Sequence, residues 1–149
     1  YAPLGTTDSI VNTATVSGTG LNPVEATLTL PALQQSLMTL TKNLSPCSVT
    51  ENGTITYTLT LSNYGNTAAG AGDNVTITDT FNPVLNLTGV TLDGVAFPAT
   101  SYTYNTTTGA FATNAGAITV PAATYTQDAA TGVVTTTPGT ATLVITGTI

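Results

Sequence analysis

From Thr54 to Leu61 the chain alternates without a break, with Thr54, Thr56, Thr58 and Thr60 on one side and Ile55, Tyr57, Leu59 and Leu61 on the other. An extended strand turns successive side chains to opposite faces, so this pattern makes one apolar face and one hydroxyl face. A helix would scatter the same residues around its axis. Similar stretches bounded by Gly, Asn, Asp and Pro predict strands at 8–17, 24–30, 37–44, 74–81, 85–92, 95–104, 110–120, 122–136 with an interruption, and 140–149. Helical periodicity is nearly absent, so the expectation is an all-β chain. Many short strands with regular turns in 149 residues fit one two-sheet sandwich better than two.

The polar faces are built from hydroxyls rather than charges. Thr supplies about a quarter of the chain, whereas charged residues make up 5%, against roughly 25% in ordinary domains. Thr is β-branched and suits a half-buried pleated surface. One Lys against seven acids gives a net charge of −6. A single cation cannot neutralise a nucleic-acid backbone or hold an anionic leaflet. The apolar runs are too short to insert in a membrane as a helix.

Without His, and with one Cys, a zinc site or a Ser-His relay is excluded. Asp73, Asp93 and Asp128 fall in separate turns, which argues against a Ca²⁺ site. No cofactor is expected, and nothing offers a general base for an enzyme acting on external substrates. Cys47 has no partner within the chain; a bridge between two chains is one reading, and a small buried side chain is the expectation. Five Asn-x-Ser/Thr sequons, at Asn43, Asn52, Asn74, Asn86 and Asn105, carry no weight in so Thr-rich a sequence.

Asp93-Gly94 between Leu92 and Val95 is a two-residue hairpin signal, since a type I′ turn needs positive φ at both central residues. Asn52-Gly53 and Thr131-Gly132 carry similar signals. Residues 63–72, from Asn63-Tyr64-Gly65-Asn66 onward, read as a loop. The stretch Pro31 to Ser36 (PALQQS) breaks the alternation and reads as a connector.

Strand parity singles out three residues. Lys42 shares its face with Met38, Leu40 and Leu44; Asp79 with Val75, Ile77 and Phe81; Asn12 with Ile10, Ala14 and Val16. Burying an unpaired ammonium or carboxylate costs several kcal/mol, so such groups are paired, neutralised or reacted. One outcome is an ion pair bridged by Asn12. Another leaves the three residues in solvent, and the expected one is an isopeptide bond. Desolvation disfavours charged forms, so a neutral Lys42 amine can attack the Asn12 carboxamide while protonated Asp79 donates to its oxygen and relays protons to the departing ammonia. That is single-turnover self-catalysis. Asn63 is the reserve acceptor and Glu51 the reserve acid, and their places beside turns argue against desolvation.

Leu40 to Pro46 (LTKNLSP), Gly53 to Gly65 (GTITYTLTLSNYG) and Asn74 to Phe81 (NVTITDTF) together resemble the conserved-repeat domain of bacterial and archaeal surface proteins, an immunoglobulin-like module. Ile10 to Val16 (IVNTATV) resembles that module's closing strand. The resemblance, which extends to the collagen-adhesin sandwiches, implies a Lys to Asn bond assisted by an acid: Lys42, Asn12 and Asp79. The proline expected soon after the acid is displaced to Pro83.

In that family the closing strand comes last, followed by a companion like Val24 to Leu30 (VEATLTL); here the pair comes first. The resemblance therefore divides the chain into a donor strand pair at 1–30, a connector at 31–36, and an immunoglobulin-like sandwich at 37–149 that lacks its closing strands. Folding the pair back would take the chain from Leu30 across a strand length of roughly 23 Å. Six connector residues reach about 20 Å. Donation to a neighbouring copy fits more easily, and fraying of strand ends would serve the alternative. Head-to-tail donation that does not close gives an open fibre. The expected protein is a structural subunit of an extracellular filament, a pilus or spore appendage, cross-linked between subunits. The competing expectation is an adhesion or spacer module of a tandem-repeat cell-surface protein.

Overall fold

The computed structural model describes residues 9–149. The chain is all-β, and its strands pair antiparallel throughout. Strand β1 (Ser9–Gly18) pairs with β2 (Leu21–Pro31) as a separate ribbon. Next come β3 (Met38–Ser45), β4 (Thr54–Asn63), β5 (Thr78–Thr80), β6 (Asn86–Leu92) and β7 (Val95–Ala96). The last five are β8 (Tyr102–Tyr104), β9 (Ala110–Thr113), β10 (Thr124–Gln127), β11 (Val134–Thr137) and β12 (Gly139–Thr148). A five-stranded sheet has the order β3-β4-β12-β6-β7, and a three-stranded sheet the order β5-β9-β8. β10 and β11 form a small hairpin of their own.

The core lies between the five-stranded and three-stranded sheets. From β4 it takes Ile55, Leu59 and Leu61, and from β12 Ala141, Leu143 and Ile145, with Thr residues and Val144 alternating outward. Phe81, Phe111 and Ile118 supply the opposite side. The Thr54–Leu61 alternation thus sits centrally, as its length and regularity require. Tyr102 and Tyr104 pack against this core, and the Tyr104 hydroxyl donates to the Leu85 carbonyl at 2.7 Å.

Asp93-Gly94 does close the β6–β7 hairpin, with φ of 51° and 79°. The other two hairpin expectations need correction. β3 reaches β4 through residues 46–53, with Asn52 but not Gly53 at positive φ. β10 reaches β11 through residues 128–133, where the Asp128 carboxylate accepts from Ala130 and Thr131 and so organises a longer loop. Those bonds, the Thr131 amide foremost, hold the Asp128 carboxyl below its usual range.

Several expected strands are also shorter. Of 74–81 the strand keeps Thr78–Thr80, because the 3₁₀ turn at Ala71–Asp73 and the left-handed Asn74 occupy its approach. Within 95–104 the 3₁₀ turn Ala99–Ser101 intervenes, starting after Pro98. Of 110–120 the strand keeps Ala110–Thr113, and 122–136 separates into β10 and β11. Cys47 is exposed rather than buried, since Pro46 and the 46–53 loop carry it away from the sheet. Asp8, where the first strand was expected to begin, lies outside the described residues. Among the described residues, no helix is long and apolar enough to cross a membrane.

Candidate functional site

Register fixes which way β3 faces. Lys42 lies opposite Leu59, Leu40 opposite Leu61 and Met38 opposite Asn63, all inward residues of β4. The parity reading of Lys42 therefore holds for its direction. On the other sheet Asp79 lies opposite Phe111, which is 2% exposed, so it points inward too. The two side chains meet between the sheets, with Lys42 Nζ at 2.5 Å from Asp79 Oδ2. Sequence reasoning did not find what flanks the amine: the rings of Tyr57 and Phe81, with centroids 4.8 and 5.6 Å away. Both share the inward parity of their strands, which was the available signal. Ring faces attract a cation at such distances.

Lys42 is inward but not sealed. Its side chain remains 41% exposed, against 13% for Asp79. The reason is that β3 is an edge strand whose inner face is only partly covered among the described residues: Leu40 is 54% and Leu44 41% exposed. A groove of about 390 Å³ runs there, lined by Met38, Leu40, Leu61, Val75 and Ile77. A larger hollow of about 660 Å³ reaches Asp79, Tyr104 and Phe111 along β5, β8 and β9. Asp79 Oδ1 accepts from the Thr80 amide at 2.8 Å. Oδ2 is buried and faces the Lys42 ammonium. A buried carboxylate oxygen in that state has room for one more donor.

Asn12 is not brought to this pair within the chain. It lies on β1, paired with Leu28 of β2, and is exposed. The ribbon that carries it has two unlike faces. Ile10↔Leu30, Asn12↔Leu28, Ala14↔Ala26 and Val16↔Val24 share one face, and among these described residues Asn12 is the polar member. Thr13↔Thr27 and Thr15↔Glu25 lie on the other, joined by side-chain hydrogen bonds. The apolar face stands in solvent, with Leu28 74% exposed.

Of the reserve residues, Glu51 is exposed, as its turn implies. Asn63 requires a correction: it is fully buried. Its Oδ1 accepts from the amides of Leu37 and Gly65, each at 2.9 Å, and its Nδ2 donates to the carbonyls of Thr67 and Pro121 at 2.7 and 3.0 Å. All four hydrogen-bonding positions of the carboxamide are used, which makes it a structural tie rather than an acceptor for Lys42. Leaving such buried groups unpaired costs about 1–3 kcal/mol each. Asn63→Ala is therefore expected to lower stability by about 4 kcal/mol, read as a reduced midpoint in urea denaturation with an unchanged slope.

Compared with protein-family models, with curated proteins and with solved structures, the chain matches none. What the fold defines is an all-β protein of antiparallel sheets with one inward Lys-Asp pair beside a partly covered edge strand.

Proposed function

We propose that this chain is the structural subunit of an extracellular filament, a pilus or spore appendage, built head-to-tail by donated strands. In this reading the sheets form an immunoglobulin-like sandwich short of its closing strands. The β1–β2 ribbon of one subunit completes the next, and Asn12 joins Lys42 across the junction. One observation carries the proposal: among the described residues, the polar residue on an otherwise apolar, exposed ribbon face is an Asn, and the single cation of the chain waits with Asp79 beside a partly covered strand of matching character.

Strand arithmetic supports the fit. Five strands face three, and the ribbon has two. Adding them to the free edge of β5 would cover the inner face of β3, whereas adding them beyond β3 would leave it bare. Adjacent strands lie about 4.8 Å apart, so placing β1 rather than β2 beside β5 puts Asn12 on the strand next to the one that carries Asp79. The exposed edges of β3 and β5 offer unpaired backbone groups to an incoming strand. A second copy is the occupant because it carries the complementary ribbon.

The reaction balances simply. Lys42 Nζ bonds to Asn12 Cγ, the Cγ–Nδ2 bond breaks, and ammonia leaves with the protons that Asp79 has moved. Boiling assembled material in detergent and reductant should give a ladder of bands. Peptide mapping should find a Lys42 peptide joined to an Asn12 peptide, lighter by one ammonia. A single band at monomer mass, with both residues unmodified, would instead point to a spacer or adhesion module.

A further inference from the structure

We infer that residues 63–67 form a clamp that decides where the ribbon goes, holding the connector so that β1 and β2 reach a second copy of the chain and not their own groove. The inference rests on the donor-strand reading and adds the residues that enforce its direction. The connector is not slack. Leu37 is held at both ends, its amide donating to Asn63 Oδ1 at 2.9 Å and its carbonyl accepting from the Tyr64 amide at 2.8 Å. Gln35 is held likewise: its amide donates to Asn66 Oδ1 at 3.0 Å and its carbonyl accepts from the Thr67 amide at 3.3 Å. Asn66 Nδ2 reaches further, to the Leu33 carbonyl at 2.9 Å.

Gly65 shows how close the two segments lie. A Cβ there would stand 2.7 Å from the Leu37 nitrogen and 2.8 Å from the Ser36 Cα, with the Gln35 carbonyl oxygen nearer still. Only a residue without a side chain fits under the connector. Asn63, fully buried and tied to Pro121, anchors the platform to the body.

Clamping changes the reach available to the ribbon. A free six-residue connector spans about 20 Å, nearly the roughly 23 Å needed to fold back along a strand. With residues 33–37 held at the start of β3, only Ala32 remains between the ribbon and the clamp, about 3.5 Å of chain. A tether that cannot span its two sites has an effective concentration near zero, whereas a short flexible one that can reaches the millimolar range. The clamp removes the intrachain competitor, leaving neighbouring copies as the acceptors.

The test mixes equal amounts of isotopically heavy and light full-length subunits and reads the joined Lys42–Asn12 peptide. For the wild type, interchain joining makes about half of that peptide mixed heavy-light. Asn66→Ala should lower the mixed share about twofold, and Gly65→Ala combined with Asn66→Ala at least about fivefold, with a compensating cross-linked monomer. Inserting eight Gly-Ser residues between Pro31 and Ala32 supplies about 27 Å of slack, more than the roughly 23 Å needed to fold back, and should produce the same monomer with the clamp intact. If the insertion yields intrachain product while both clamp variants keep the wild-type mixed share, the clamp is overturned. A wild type that yields no mixed peptide removes the underlying filament reading instead, a separate failure.

Discussion

Asp79→Ala fibres are expected to assemble as the wild type does and then fall to monomers when boiled in detergent, because the covalent step fails. Among the described residues, Asp79 Oδ2 is the carboxylate oxygen that meets the Lys42 ammonium, and it is buried. Attack on a carboxamide needs the amine stripped of a proton and the leaving nitrogen supplied with one. A positioned acid-base group contributes about 10²–10⁴-fold to such transfers, so the joining rate should fall at least about 100-fold. Without the carboxyl, the ammonium keeps only the faces of Tyr57 and Phe81, which stabilise its charged, unreactive form. Asp79→Asn separates proton transfer from spacing. It matches the shape and can still accept from the Thr80 amide, yet carries no titratable proton. Both variants should lose the ladder to a similar extent in a time course after mixing. Cross-linking of Asp79→Ala at the wild-type rate would show that this carboxyl has no part in the reaction.

The sequence was informative where one face of a strand is buried and silent where loops dictate geometry. Alternation located β4 and β12 because a core on one side leaves no freedom of parity, and it turned Lys42 and Asp79 inward for the same reason. It overextended the strand at 74–81, where the left-handed Asn74 and the preceding 3₁₀ turn leave Thr78–Thr80 as the strand. Neither could be weighed against four apparently alternating residues. Parity alone also could not say that β3 is an edge, so the exposure of Lys42 was missed; edge position depends on pairings between residues far apart in the chain. Asn63-Tyr64-Gly65-Asn66 looked like an ordinary loop. Its Asn residues bind backbone of a segment some 26–33 residues away, and no local pattern encodes that partner.

Under the proposed strand donation, Leu28→Asp is expected to abolish assembly at concentrations where the parent chain assembles. Leu28 is the direct partner of Asn12 on the apolar ribbon face and is 74% exposed in the isolated chain. Burying a Leu side chain contributes about 1.5–3 kcal/mol, and placing a carboxylate in the same apolar setting costs several kcal/mol unless it takes up a proton. Together these remove about 4 kcal/mol from each junction, and every 1.4 kcal/mol is tenfold in affinity. The critical concentration should therefore rise about 1,000-fold. The measurement belongs in the Lys42→Ala background, where no covalent bond can trap subunits and sedimentation reports a true equilibrium. Thr29→Asp is the control. It adds the same charge one residue along β2, but on the face that carries Thr13, Thr27 and Glu25, so its critical concentration should stay within about threefold of the parent. Equal behaviour of the two variants would mean that the apolar face makes no contact in the assembled state. The contrast between adjacent positions matters because a generic loss of solubility or folding would affect both, whereas a buried face distinguishes them by the two-residue period of the strand.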